Sequence, residues 1–302
     1  IMGSVSLNNE NFSIVKDKLS DKHLIFSESN LKEKSAFDCC TPDFTDGENS
    51  FLPVHDAKIL FEKFSPMAAS SDVKSSSSSR YVRFYAETEY DMYQQLRSYE
   101  QVEYFVSSLF NNVNLLYKNE GIITALHKIN IWFREDPFTA FDRPSLLQQY
   151  QNTRTTIDGD LGILLTFRGI GGGRAAGFSG LTSPNVRDKL AICLVDNNNV
   201  NFPVYSWNVF AVTHELGHLF VSRHTHACVW NGNNTAIENC ALTEGGCNSS
   251  GLPAGGGTIM SYCHKINGVG INFNLGFGPQ PGNIIRHNYN STTFLNPLPP
   301  VN

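Results

Sequence analysis

Residues 214–224 read HELGHLFVSRH. On an α-helix, His214 and His218 stand one turn apart on the same face, so both imidazoles can address one metal ion while Glu215 sits beside it as a candidate base. This is half of a site for metal-assisted hydrolysis. A catalytic zinc takes three protein ligands and keeps a fourth position for water, so the third ligand is the deciding question. His224 follows His218 closely, and His226 from the same loop is a fallback. Glu238 lies twenty residues beyond His218 and, if carried on another helix, is the rival third ligand. The segment around it, WNGNNTAIENCALTEGGC, is rich in Asn and Gly and lacks helical periodicity, which favours His224.

The helix that must carry the motif is legible. At 100° per residue Val209, Val212, Leu216, Leu219 and Phe220 gather on one side and the two histidines on the other, so the histidines are expected to face away from the core. Ser206 after Pro203 is the expected N-cap of a helix of roughly four turns. Further on, GGGTIMSYCH at residues 255–264 places Met260 in a tight glycine-rich turn, with Tyr262 two residues later.

With these features the chain resembles the metzincin clan of zinc endopeptidases, and within it the reprolysin (adamalysin) type of secreted bacterial proteins. HTHACVWNGNNTAIENC, GTIMSYCH and GINFNLGFGPQPGN carry the resemblance, which covers roughly residues 81–290. It implies one catalytic Zn2+ held by His214, His218 and His224, Glu215 as general base and acid, and Met260 as the Met-turn beneath the metal. It implies Tyr262 as a hydroxyl near the reacting carbonyl, against a plainer role in packing. One position departs from the family pattern: Val221 stands where the signature has a glycine that turns the chain with positive φ. A β-branched residue there is strained by roughly 1–3 kcal/mol. A structural Ca2+ is left open, with no ligand pattern pointing to one.

The elements around the motif read as α/β. YVRFYAETEYDMY alternates as a strand, EQVEYFVSSLFNNVNLLYKNEG is a long amphipathic helix, and IITALHKINIWF is another strand. Residues 143–157 read as a second helix, and LGILLTF and KLAICLV as further strands, with Cys193 a buried thiol. This order predicts a mostly parallel twisted sheet with helices as an upper subdomain, and an irregular lower subdomain after about residue 222. GGGRAAGFSG, residues 171–180, is the candidate edge along which an extended substrate pairs its main chain. Domains are expected at 1–80 and 81–302.

Residues 1–80 look like a propeptide. A polar, Lys-rich segment of little periodicity precedes the Ser-rich stretch SSDVKSSSSSR, residues 70–80, which reads as a flexible linker with Arg80 as an exposed point for activating cleavage. Within it SAFDCCTPDF offers Cys39 or Cys40 as a thiolate that blocks the metal's open position. The register of Phe-x-Cys-x-Thr-Pro resembles bacterial propeptides more closely for Cys39. A vicinal disulfide, two idle thiols, or blockage by a carboxylate such as Asp38 are the alternatives.

Composition narrows the partners. A 302-residue chain, 41% hydrophobic, can bury a core, and no apolar run approaches the ~18 residues of a membrane span. A net charge of −5 without a basic cluster argues against nucleic acid, leaving protein or peptide substrates and the chain's own propeptide as partners. Cys228, Cys240, Cys247 and Cys263 suit two disulfides of undetermined pairing in an oxidising compartment, consistent with secretion; a second zinc is the competing reading. Sequons occur at Asn11, Asn233, Asn248 and Asn290, and the tail STTFLNPLPPVN reads as a Pro-rich linker. A thermolysin-like zinc protease with Glu238 as third ligand is one alternative, and an inert metzincin-like binding or adhesion module is the non-enzyme one.

Overall fold

The computed structural model describes residues 3–7, 10–16, 22–27, 38–41, 80–196 and 205–297. The Ser-rich stretch 70–79, Pro203 and the last residues of the tail lie outside them. The main sheet runs β6 (Thr124–Ile131), β5 (Arg80–Thr88), β7 (Leu161–Thr166), β9 (Leu190–Leu194), β8 (Gly172–Ala175) and β4 (Asp38–Cys39). β6, β5, β7 and β9 are mutually parallel, whereas β8 turns antiparallel to β9. The sheet is mixed at that edge, and it is there that a segment from the N-terminal region joins it as β4, parallel to β8.

The strands do not alternate as expected. β7 is buried along its whole length and β5 nearly so, because helices cover both faces of a parallel sheet. β5 also ends earlier than its sequence suggests: Tyr90–Leu96 forms helix α1, its first amide held by Asp136 Oδ2 at 2.6 Å. Helix α2 (Tyr99–Asn119) starts at Ser98, whose side chain accepts from Gln101 N, and buries Val102, Val106, Leu109, Phe110, Val113 and Tyr117. Helix α3 (Arg143–Thr153) starts on Asp142 with Pro144 in its first turn. It ends four residues short of expectation, where the Arg154 side chain turns to the buried Glu87 carboxylate.

Helix α4 (Tyr205–Leu219) carries the motif. Among the described residues it runs from Tyr205, so Ser206 lies within the helix rather than at its cap. Val209, Val212, Leu216, Leu219 and Phe220 are fully buried as expected, and Tyr117 Oη donates to Thr213 O at 3.1 Å, pinning α4 to α2. The opposite face is also buried. His214, Glu215 and His218 are each 0% exposed, so the prediction that the histidines face away from the core requires amendment: the lower subdomain and the N-terminal segment close over them.

After residue 220 the chain is turns, two short 3₁₀ segments and isolated bridges until helix α5 (Pro279–Ser291). Disulfides Cys228–Cys247 and Cys240–Cys263 staple this region, in place of a second metal. Cys193 is a buried free thiol.

Three further expectations are corrected. The N-terminal segment contains an antiparallel sheet of β1 (Gly3–Leu7), β2 (Glu10–Lys16) and β3 (His23–Ser27), which lies against α4 and α2. The tail does not read as a linker throughout, since Thr292 and Leu295 are buried and Asn296–Pro297 pairs with the start of β5. Arg80 is a strand residue, with its side chain bonded to Thr292 O at 2.7 Å and its carbonyl to Tyr289 Oη.

Candidate active site

The three imidazoles meet at one point, and their hydrogen bonds say which nitrogen carries the proton. His214 Nδ1 lies 2.7 Å from Ile259 O, His218 Nδ1 2.8 Å from Ser222 O, and His224 Nδ1 2.8 Å from Glu244 Oε1. Each neighbour is an acceptor, so each Nδ1 donates and each Nε2 is left with a lone pair. Yet the Nε2 atoms converge, His218 to His224 at 3.1 Å and His224 to His214 at 3.2 Å. Three lone pairs aimed at one another in a buried site repel unless a cation stands among them. The donor set thus fits a metal ion of the kind that takes imidazole nitrogen.

Local backbone builds this convergence. Two residues past the end of α4, Val221 takes φ +78°, the left-handed conformation expected for the glycine it replaces. That turn lets Ser222 O reach back to His218 and returns the chain so that His224 faces the helix. The strain, roughly 1–3 kcal/mol, is set against several hydrogen bonds and a ligand position. Beneath the histidines, Met260 is fully buried against Gly217, where a Cβ would lie 2.8 Å from the methionine sulfur. Ile259, next to Met260, supplies the carbonyl that fixes His214.

Glu238 is not in this cluster. Its carboxylate accepts from Thr225 Oγ1 and from Cys240 N, an arrangement that shapes the disulfide loop. His226 stacks on His224, centroids 4.8 Å apart, and turns its Nε2 to Glu244 at 3.1 Å. Glu244 thus anchors both rings of the loop. Sequence reasoning missed it because nothing local marks a Glu that arrives through a disulfide-held turn.

Glu215 is wedged against the edge strand: a Cβ at Gly173 would fall 2.3 Å from its Oε1. Oε1 makes no hydrogen bond and Oε2 accepts from Thr41 Oγ1 at 3.3 Å. Burial pushes its carboxyl up to about 8.

The fourth side of the cluster is occupied by the N-terminal segment. Cys39 Sγ lies 3.3 Å from His218 Nε2 and within one potential ligand group with all three histidines. Burial, and then the charge of Glu215, push this thiol up, so a thiolate there needs a cation beside it. Cys40 points elsewhere, with its Sγ 3.3 Å from Arg174 Nη1; the two cysteines are free and form no vicinal disulfide. Backbone bonds from Asp38 N to Gly171 O at 3.1 Å and Cys40 N to Gly173 O at 3.2 Å lay the segment along β8. Thr41, also unforeseen, accepts from Ala175 N at 2.8 Å and covers Glu215.

A model of metallo-peptidase family M12, of reprolysin type, matches residues 78–272, more than half of the chain. The chain belongs to this metallopeptidase family. The solved structures that this M12 metallopeptidase resembles include metalloproteinase-II from Bacteroides fragilis, at 16% identity and TM-score 0.36, covering 66% of this chain and 58% of that one. A chain from a structure of a chaperone–substrate complex matches at 15% identity and TM-score 0.37, covering 49% of this chain. The chain spans a quarter of the length of the latter and somewhat over half of the former. No curated protein matches it.

Tyr262 in this M12 metallopeptidase is buried against His224, ring centroids 4.9 Å apart, and its hydroxyl donates to Cys39 O. The phenol is thus held beside the histidines and bonded to a main-chain carbonyl oxygen. Tyr262→Phe is expected to lower kcat by about 10²–10³ with KM and metal content little changed. A variant within about threefold of the parent in steady-state peptide hydrolysis would assign the residue to packing alone.

Proposed function

We propose that the chain is the latent form of a secreted zinc endopeptidase. The observation that carries this reading is the convergence of His214, His218 and His224 through Nε2, with Cys39 Sγ as the fourth member of the group. Three buried nitrogens and a sulfur suit Zn2+ better than the hard cations that take oxygen. When bound, the ion lowers the pKa of a water toward ~7 and polarises the scissile carbonyl.

The rest falls to side chains and backbone. An extended substrate pairs its main chain with β8, where the N-terminal segment now lies. Glu215 takes a proton from the attacking water and returns it to the leaving amine. Tyr262 donates to the carbonyl oxygen as it gains charge. Met260 supports the histidines from below without touching substrate.

Residues 1–80 act as the intramolecular inhibitor. Cys39 fills the ligand position that a water would take, Thr41 covers Glu215, and the segment uses the edge that substrate needs. Release follows cleavage within 70–79. Two disulfides suit an oxidising compartment, and no helix among the described residues is long and apolar enough to cross a membrane.

The test is metal content and casein hydrolysis of the full chain, before and after limited proteolysis in the serine run. One zinc per chain and activity only after cleavage are expected. His224→Ala should lose metal and activity together, because two ligands hold a catalytic ion poorly. Glu238→Gln should keep both. The reverse pattern would transfer the third-ligand role to Glu238 and sink the assignment.

A further inference from the structure

Asp38, the residue before the blocking cysteine, is gripped from both walls of the cleft. From above, Arg143 at the start of α3 sets Nη1 on Asp38 O and Nη2 3.5 Å from Asp38 Oδ2. From below, Lys265 in the turn after Tyr262 places Nζ 2.7 Å from Asp38 Oδ1. Both cations belong to the portion of the chain after residue 80. Neither makes another ion pair among the described residues.

Each cation also has an anchor independent of Asp38. Arg143 Nη1 donates to Gly171 O at 3.0 Å, and Lys265 Nζ lies over the Tyr262 ring, 4.5 Å from its centroid. Withdrawal of the N-terminal segment therefore leaves the two cations held near their present places, facing the cleft beside the histidine cluster. Gly171 is the start of the edge with which an extended chain pairs. A residue that pairs there in the direction Asp38 takes, parallel to β8, presents its side chain where the Asp38 carboxylate now sits.

We infer that Arg143 and Lys265 form a subsite for an acidic side chain, Asp or Glu, immediately next to the scissile bond of a peptide substrate, and that Asp38 is its resident occupant in the latent chain. The inference rests on the reading of this cleft as the peptide-binding site. The two cations are not equivalent. Arg143 is mostly buried and fixed by a carbonyl, so it sets geometry, whereas Lys265 is more exposed and contributes a point charge. An acidic residue also closes the cleft, because its carboxylate bridges the upper and lower walls.

The experiment uses the full chain, cleaved within 70–79, and a set of quenched fluorescent peptides. They carry Asp, Asn or Lys in turn at each of the two positions on either side of the scissile bond. Asp is expected to exceed Asn by about three- to tenfold in kcat/KM at one of these positions, as for two partly exposed ion pairs. The preference should fall with added salt. It should vanish in Arg143→Gln/Lys265→Gln and turn toward Lys in Lys265→Glu, whose exposed position tolerates the change. Asp and Asn within twofold of each other at every position, or a preference unchanged in the double variant, overturns the inference alone. Failure to hydrolyse every peptide and casein as well overturns the protease reading and the inference with it.

Discussion

Glu215→Gln is expected to reduce turnover by about 10²–10⁴ while leaving metal content and fold unchanged. The substitution is nearly isosteric, which matters in a space where Oε1 already rests against Gly173. It keeps an oxygen for Thr41 but removes the basic lone pair that must take a proton from water. Stability is expected to hold or rise, because burying an ionised carboxylate is costly and burial already pushes this one up to about 8. The measurements are metal stoichiometry, thermal melting and peptide hydrolysis after cleavage in the serine run. Residual turnover within tenfold of the parent would mean that another group accepts the proton. Loss of metal along with turnover would mean that Glu215 organises the histidines rather than acting on water.

Legibility in the sequence followed sequence separation. His214 and His218 are one helical turn apart, so period alone sets them on one face with Glu215 beside them, and the apolar residues on the other side of α4 are equally plain. His224 needed one more assumption, a backbone reversal at Val221, and the structure has that residue in the left-handed region despite its β-branch. The core strands β5, β6, β7 and β9 came from apolar runs with turn residues between them. What was missed joins residues far apart in the chain. Glu244 meets His224 only because a bridge at Ala227 and the Cys228–Cys247 disulfide bring its turn back. Arg143 and Lys265 share one carboxylate, although more than a hundred residues lie between them. Arg80 looked exposed because a serine run precedes it, and pairing with Asn296–Pro297 took it into the sheet instead. The N-terminal strands lie in a polar, Lys-rich segment of little periodicity; they take their place against α4 and α2, a tertiary contact that no local window contains.

Cys39→Ser is expected to release activity from the uncleaved chain, and Cys40→Ser to leave it within about twofold of the parent. The two residues are neighbours, so the comparison holds chain position and charge nearly constant. Cys39 Sγ stands among the three histidines, while Cys40 Sγ faces Arg174. Metal binding at structural zinc sites is worth about 10–16 kcal/mol, so one ligand of four accounts for roughly 3 kcal/mol, and replacing thiolate by a hydroxyl forfeits much of it. At 1.4 kcal/mol per tenfold, the open population should rise by at least about tenfold. Full activity is not expected. The Asp38 and Cys40 amides stay bonded to Gly171 and Gly173, Tyr262 still donates to residue 39's carbonyl, and Thr41 still covers Glu215. Those contacts make cleavage and departure of the segment a second requirement, so the variant should process itself faster than the parent rather than bypass processing. Initial rates on a short peptide, read together with the time course of cleavage on a gel, separate the two effects. Equal latency in parent and Cys39→Ser would leave the inhibition to the main chain, Thr41 and the Asp38 clasp, and the sulfur beside His218 would then be a bystander.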